Sequence, residues 1–234
     1  HVQNMVLDNC LSTIKHETIY YPNKIKQIIG RLNTQNLPEK DEREAVETIT
    51  ELIEYYKGIF TILSSCAARQ LEEVTFRRNT IPVQELFDAA GKYFRKVTKN
   101  RTEKVELIIE PMDAKVIGDV NQLRFLFENL IDEALAVREE GVIRLQARKD
   151  NEYIRFLFTD TRREKSVTEL NQLFYPNLAR MTSGEKGALR GTEYLICKQI
   201  IRDHDEFAGR RGCRINAEPA EGGGFTVYFT IPRR

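Results

Sequence analysis

The stretch KHETIYYPNKIKQII, residues 15–29, decides how the first part of the chain folds. Apolar or nearly apolar residues recur through it and on both sides of it in alternating steps of four and three, at Leu7, Leu11, Ile14, Thr18, Tyr21, Ile25, Ile28 and Leu32. This heptad pattern predicts one long amphipathic helix, over residues 2–35, that turns its apolar stripe toward a partner helix. His16 lies opposite the stripe, on the face that the pattern leaves to solvent.

The neighbours of His16 favour a chemical role for it. Glu17 adjoins the imidazole, where a carboxylate accepts a hydrogen bond or acts as a general base and makes a ring nitrogen more nucleophilic. Pro22 removes the hydrogen bond to the carbonyl of Thr18, so a kink is expected about one turn beyond the histidine. We therefore take His16 as a candidate phosphate acceptor. The alternative is that His16 is simply one polar residue on a solvated helix face.

A second long helix is predicted after the turn at residues 36–41, where Asp41 or a neighbour can cap it. Over residues 42–76 its apolar stripe is wider than a seam between two helices requires; it includes Ala45, Val46, Ile49, Leu52, Ile53, Tyr56, Ile59, Phe60, Leu63, Cys66 and Ala67. A lone hairpin of two such helices leaves apolar surface uncovered, whereas two hairpins form a four-helix bundle. We therefore predict a homodimer through residues 1–78.

The rest of the chain, residues 79–234, mixes helical and strand patterns and predicts an α/β sandwich. Helices are expected at Val83–Thr98, Asp119–Val137 and Gly191–His204, strands at Val105–Glu110, Val142–Arg148 and Tyr153–Thr159, and a terminal hairpin at Cys213–Ala217 and Phe225–Ile231. A polar loop is expected from residue 160 to about residue 190. The whole chain is thus predicted to be α+β, with a long helical hairpin followed by the sandwich.

Charge and composition narrow the function classes. A net charge of +1 gives neither the basic field that attracts nucleic acid nor a polybasic patch for anionic lipid, so we expect neither partner. Four widely spaced cysteines without CxxC spacing indicate reduced thiols. No run approaches the roughly twenty apolar residues that a membrane span needs, and the first residues do not show a signal-peptide pattern. We expect a cytoplasmic protein, or the cytoplasmic part of a longer, membrane-tethered sensor.

Several segments together resemble the sensor histidine kinases. The box His16, Glu17 and Pro22 is similar to their phosphoacceptor box, although the proline comes one position late and Tyr20 replaces the usual small polar residue. Segments of the second domain look like the ATP-binding domain of the same kinases, which belongs to the wider family of gyrase, heat-shock chaperone and mismatch-repair ATPases; in chain order they are DVNQLRFLFENLIDEAL, FLFTDTRREK, EYLICKQIIRDH and INAEPAEGGGFTVYFTIP. The resemblance covers essentially the whole chain.

The resemblance implies ATP and Mg²⁺ as cofactors and assigns residues to them. Asn129 and Glu133 would hold the metal, with Glu133 at the place of a second asparagine. Asp160 and Thr161 would bind adenine. The aromatic Phe174 would belong to the lid, unless it is simply a core residue. The phosphates would be bound by Lys186, Arg190 and Gly191. The resemblance also puts side chains at four positions where the family has glycines, namely Arg162, Glu164, Leu189 and Glu193. Arg162 and Glu164 would crowd a backbone that normally lies against the nucleotide, and Glu193 would repel a triphosphate.

Two main functions follow from the resemblance. The first, which we favour from the sequence, is a histidine kinase that phosphorylates His16 from ATP and passes the phosphate to an Asp of a response regulator receiver domain. The second is a pseudokinase, that is, a phosphotransfer or scaffold protein of the same shape whose second domain does not use ATP. A third is a nucleotide-controlled dimer switch. Arg162, Glu164 and Glu193 favour the second function over the first.

Overall fold

The computed structural model describes residues 23–53, 76–175 and 192–234. These residues fall into two compact units: 23–53 belong to the first, and 76–175 together with 192–234 belong to the second. Several residues singled out by the sequence lie outside the described residues: His16, Glu17, Pro22, Lys186, Arg190 and Gly191.

The first unit contributes two helices, α1 over residues 23–34 and α2 over residues 39–53. The carbonyl oxygen of Pro38 accepts hydrogen bonds from the backbone N–H groups of Asp41 at 2.8 Å and Glu42 at 3.0 Å. α2 therefore begins at residue 39, three residues before the predicted start at residue 42. Asp41 lies in its first turn, where a negative charge is favourable beside the positive end of the helix dipole. The predicted continuation of α2 to residue 76 lies outside the described residues.

The second unit contains seven strands and four helices in its described part. They are β1 (Asn79–Pro82), α3 (Val83–Thr98), β2 (Val105–Ile109), β3 (Lys115–Gly118), α4 (Val120–Leu135), β4 (Gly141–Asp150), β5 (Tyr153–Asp160), α5 (Val167–Gln172), α6 (Thr192–Phe207), β6 (Ile215–Pro219) and β7 (Phe225–Pro232).

Five strands form one sheet in the order β2-β4-β5-β7-β6. The pair β2 and β4 is parallel, and the other neighbours are antiparallel. The predicted terminal hairpin is confirmed as β6 and β7, which pair antiparallel from Ile215 opposite Phe229 to Pro219 opposite Phe225. β1 and β3 form a separate two-stranded antiparallel sheet. Helix α4 packs against both α3 and α6. The predicted α+β class, with a helical N-terminal part before a sheet with helices, is confirmed.

The core of this unit is built around aromatic rings from helices and strands. Phe156 of β5 stacks on Phe229 of β7 with ring centroids 4.9 Å apart. Phe127 of α4 meets Phe156 edge-on at 5.8 Å, and Phe87 of α3 does so at 6.0 Å. Edge-to-face and offset arrangements of this kind add to the free energy gained from burying the rings. The core therefore fixes the position of β5 relative to α3 and α4.

Three short elements were not predicted: β1, β3 and α5. β1 and β3 have four residues each, too few for an alternating pattern to be visible, and they pair with each other across 33 or more residues of chain. The loop expected between residues 160 and 190 contains α5, so that expectation was wrong at residues 167–172. A capping box marks this helix, since the Ser166 hydroxyl accepts from the N–H of Glu169 and the Glu169 carboxylate accepts from the N–H of Ser166.

No helix among the described residues is both long enough and apolar enough to cross a membrane.

Candidate functional site

The candidate site is at the C-terminal end of β5, where the buried face of the strand ends in a carboxylate. Burial alternates along β5, and Ile154, Phe156, Phe158 and Asp160 form its buried face. Asp160 is 1% exposed and lies opposite Ile143 of β4 and Phe225 of β7. A charge at the end of an apolar row requires compensating partners, because desolvating an unpaired carboxylate is costly.

Two arginines provide these partners. The Nε of Arg162 donates to Oδ1 of Asp160 at 2.9 Å, and its Nη2 donates to Oδ2 at 2.9 Å. The backbone N–H of Arg162 also donates to Oδ1, at 3.0 Å, while the Nε of Arg163 donates to Oδ2 at 3.2 Å. The carboxylate thus accepts four hydrogen bonds, two on each oxygen. The pair between Asp160 and Arg162 is bidentate, the geometry in which a guanidinium binds a carboxylate most specifically.

The rest of the Arg162 guanidinium is also bound. Its Nη2 donates to the carbonyl oxygen of Ala134 at 2.5 Å, and its Nη1 donates to that of Glu139 at 3.0 Å. Ala134 lies in the last turn of α4, where the negative end of the helix dipole favours a cation. The Arg162 side chain is 1% exposed. Removing one partner from a buried pair of this kind typically costs about 3–5 kcal/mol, because the other charge is left uncompensated.

Two glycines allow the chain to close around this pair. A Cβ on Gly141, whose φ is +136°, would lie 2.8 Å from the Cγ of Arg162. A Cβ on Gly224, whose φ is +82°, would lie 2.1 Å from the carbonyl oxygen of Asp160. Both conformations are ones that residues with side chains rarely adopt. Glycine is therefore needed on both sides of Asp160, once for the arginine stem and once for the strand backbone.

Thr161 directly follows Asp160 at the end of β5, and its hydroxyl makes a hydrogen bond to the neighbouring strand. The Oγ1 of Thr161 donates to the carbonyl oxygen of Val142 at 2.7 Å, and its backbone N–H donates to the same oxygen at 3.2 Å. Thr161 therefore extends the ladder between β4 and β5.

The two residues assigned to a metal lie one turn apart on α4 and so share a helix face. The side-chain amide of Asn129 donates back to the carbonyl oxygen of Phe125 at 2.7 Å, and the residue is buried. Glu133 is half-buried, and its negative charge adds to the burial that raises the pKa of Tyr194 well above its ordinary value. Among the described residues, no three His, Cys, Asp or Glu side chains come together in a group that could hold a metal ion.

Phe174 is a core residue in this structure. It is buried and meets the buried ring of Tyr194 edge-on, with centroids 5.7 Å apart. The Nζ of Lys198 donates to the Phe174 carbonyl oxygen at 3.1 Å and lies 4.2 Å from the centroid of the Tyr175 ring. Burial lowers the pKa of Lys198, and the nearby Arg202 charge lowers it further. The segment that leads to residue 176 is therefore anchored to α6.

These contacts test whether the assigned residues fit a bound nucleotide. Both oxygens of Asp160 already accept hydrogen bonds from arginine side chains, so neither is left to accept from an adenine amino group. Mg²⁺ in nucleotide sites typically has one or two carboxylate ligands and completes its shell with water and phosphate oxygens. Asp160 is therefore occupied by arginine in this structure and does not fit an adenine base.

The role of Arg162 was missed by the sequence analysis. Its side chain was expected to crowd a glycine position, and the structure shows that it is also the main partner of Asp160. The available signal was the order of residues: an acidic residue that ends a buried strand, followed two positions later by an arginine.

Comparisons with known proteins agree with this fold. A family model described as histidine kinase-, DNA gyrase B- and HSP90-like ATPase matches residues 118–234. No curated protein matches the chain.

Solved structures of histidine kinases are similar to it at low identity. The histidine kinase ThkA in complex with the response regulator protein TrrA is 18% identical with a TM-score of 0.59, over 99% of this chain and 64% of that one. The catalytic domain of ThkA is 20% identical with a TM-score of 0.53, over 68% and 97%. The histidine kinase AdeS of Acinetobacter baumannii is 13% identical with a TM-score of 0.50, over 93% and 97%. These likenesses show a shared fold.

Proposed function

The chain belongs to the family of histidine kinase-, DNA gyrase B- and HSP90-like ATPases, and from that premise we propose that it is a two-component signalling protein that exchanges phosphate at His16 without using ATP. The observation that carries the proposal is the buried, bidentate pair between Arg162 and Asp160, with oxygen–nitrogen distances of 2.9 Å. It engages the carboxylate that the resemblance assigns to adenine. The family model describes ATPases, and the proposal is that this member departs from them at that carboxylate.

The proposed reaction takes place between His16 and a phosphorylated receiver domain. A ring nitrogen of His16 attacks the phosphorus of the receiver's aspartyl phosphate, the phosphorus–oxygen bond breaks, and the Asp leaves as a carboxylate. The carboxylate of Glu17, directly after His16 in the sequence, accepts a hydrogen bond from the other ring nitrogen and stabilises the positive charge that develops. The reverse reaction returns the phosphoryl group to a receiver. A response regulator as partner is supported by the similarity to ThkA, whose structure holds one.

Two further features belong to the proposal. The division into a dimerisation and phosphoacceptor hairpin at 1–78 and a sandwich domain at 79–234 remains a prediction from the sequence. So does the homodimer through residues 1–78. In this arrangement the second domain would present a docking surface whose shape does not depend on a nucleotide.

A second candidate is the autophosphorylating kinase, which the family match favours. It would use the residues that the sequence assigned to ATP and magnesium, with His16 as acceptor, and it requires Arg162 to leave Asp160. One experiment separates the two candidates.

The full chain is incubated separately with radiolabelled Mg-ATP and with a panel of receiver domains charged by radiolabelled acetyl phosphate. We expect acid-labile label on the protein only from the charged receivers. Label from ATP would establish the kinase and overturn our proposal; no label from either source would leave a scaffold.

His16→Ala is the control for both arms. We expect it to abolish all labelling, because no other residue is proposed as acceptor, and to leave the oligomeric state unchanged, because His16 is placed opposite the apolar stripe. Loss of the dimer in this variant would show that His16 packs inside the bundle.

A further inference from the structure

The atoms that bind Arg162 form a pocket made of acceptors. The four oxygens that its side chain contacts are Oδ1 and Oδ2 of Asp160 and the carbonyl oxygens of Ala134 and Glu139. A guanidinium presents five N–H donors in one plane and no acceptor. The pocket therefore matches the donor pattern of a guanidinium, and it adds one negative charge to balance the cation.

The pocket is enclosed as well as complementary. Both charged side chains are 1% exposed, and Gly141 leaves the space in which the arginine stem lies. The carbonyl oxygens come from residues 28 and 23 positions before Arg162 in the chain. The end of α4, the turn that leads to β4, and the end of β5 thus all contribute to one site.

We propose that this pocket is a guanidinium-binding site with Arg162 as its resident ligand, and that it selects a guanidinium over a purine base. The proposal rests on the proposed function and deepens it, since it names the chemical class of ligand that the closed subsite takes. A purine has ring nitrogens that accept hydrogen bonds, and it carries no charge. Placed against these four acceptor oxygens, a purine leaves its own ring acceptors without donors. It also leaves the buried carboxylate of Asp160 with Arg163 as its remaining charged partner.

The proposal predicts chemical rescue. Arg162→Ala removes the resident ligand from the full chain and should lower the melting temperature by roughly 6–15 °C, as expected when a buried charge loses its partner. Guanidinium chloride up to about 20 mM should then raise the melting temperature again in a saturable way, with half-saturation on the order of millimolar for so small a ligand. Sodium chloride, urea and adenosine at the same concentration should not.

Arg163→Ala is the matched control, because Arg163 lies in the same loop and contacts Asp160 through only one hydrogen bond. Its melting temperature and that of the wild type should not rise with guanidinium, since Arg162 still fills the pocket. The proposal is overturned if guanidinium fails to stabilise Arg162→Ala, or if adenosine or ATP stabilises that variant as much as guanidinium does.

If Arg162→Ala is insoluble, the variant is refolded from urea in guanidinium or in tetramethylammonium at the same concentration. Recovery of folded protein in guanidinium alone supports the proposal, and equal recovery in both overturns it. The rescue is read from melting curves and does not depend on His16. Successful rescue without phosphate exchange at His16 would therefore contradict the proposed function and support the pocket assignment. Phosphate exchange without rescue would support the proposed function and contradict the pocket assignment.

Discussion

At the scale of single residues, His204 is a neutral histidine held in one tautomer inside the second unit. Its Nε2 accepts from the backbone N–H of Asp119 at 3.1 Å, so the proton is on Nδ1, which donates to the carbonyl oxygen of Ile200 at 2.7 Å. The ring also meets Phe76 edge-on at 4.9 Å. Burial lowers the pKa of His204 from its ordinary 6.5 to about 4, although Ile200 and Asp119 both act in the opposite direction.

Asp203, which precedes His204, titrates with the opposite effect on the free energy of unfolding. Burial raises the pKa of Asp203 from its ordinary 3.8 to about 6, against the hydrogen bond from Gln199. For His204 the unfolded chain binds the proton first, so its contribution to stability is present above pH 6.5 and is lost as the pH falls toward 4, by up to about 3 kcal/mol. For Asp203 the folded chain binds the proton first, so stability is gained as the pH falls through about 6. The two contributions offset each other between pH 6 and 4.

We therefore predict that single substitutions expose each contribution. Asp203→Asn should make the free energy of unfolding fall more steeply between pH 6.5 and pH 4 than in the wild type, whereas His204→Gln should make it fall less steeply. The measurement is urea unfolding followed by far-UV circular dichroism at a series of pH values, because the chain has no tryptophan. If the free energy of unfolding has the same pH dependence in the wild type and both variants, Asp203 and His204 do not make the contributions described here.

Arg162 shows why the sequence could predict only part of the site. The alternation along β5 and the resemblance together place Asp160 and Thr161 at the end of a strand, and the structure agrees. The resemblance also marks position 162 as unusual. It does not show the full set of acceptors around Arg162, because two of them, the carbonyl oxygens of Ala134 and Glu139, reach Arg162 only when α4 and β5 have packed. A contact between residues so far apart in the chain is not visible in a local pattern.

At the scale of secondary-structure elements, the start of α4 links the segment that enters the second unit to the helix itself. The Oδ1 of Asp119 accepts from the N–H groups of Asn121 at 3.0 Å and Gln122 at 3.1 Å. Its Oδ2 accepts from the N–H of Arg77 at 2.7 Å. One carboxylate thus caps the helix and holds the incoming chain at the same time.

We predict that Asp119→Ala lowers the free energy of unfolding by about 1–2 kcal/mol through the lost cap and speeds hydrogen exchange at the amides of Arg77, Asn121 and Gln122. Asp119→Asn should lose less, because it retains a side-chain oxygen for the helix. Exchange measured by mass spectrometry with peptides across residues 76–80 and 119–124 checks this. If the amide of Arg77 exchanges as slowly in Asp119→Ala as in the wild type, the carboxylate of Asp119 does not hold the segment at residue 77.

The elements differ in how well their own sequences define them. Helix α3 was predicted with its observed bounds, since its apolar residues recur at helical spacing over 16 residues. β1 and β3 are defined by their pairing with each other, which no local pattern contains. α5 was predictable from Ser166 and Glu169, the two residues of its capping box.

At the scale of the whole molecule, family membership and sequence departures support different parts of the function. Order and spacing of segments over the chain predicted the family, and the match to residues 118–234 confirms it. The fold alone does not decide whether a member uses ATP, since activity belongs to the site and not to the architecture. Here the contacts of Arg162 with Asp160, the residue that the resemblance assigns to adenine, are what favour the proposed function without ATP.

The remaining prediction concerns the proposed dimer. α1 and α2 leave three large apolar side chains exposed in the single chain: Ile29 at 44%, Val46 at 54% and Ile53 at 44%. Val46 and Ile53 are seven residues apart and so lie on one face of α2. Burying each of them in a second hairpin contributes about 1.5–3 kcal/mol.

The double variant V46E/I53E should therefore weaken the dimer by more than about 100-fold. Analytical ultracentrifugation of the full chain measures this, with E44K/E51K, on the opposite face of α2, as the control that stays dimeric; a dimer of unchanged affinity in V46E/I53E would place the interface elsewhere.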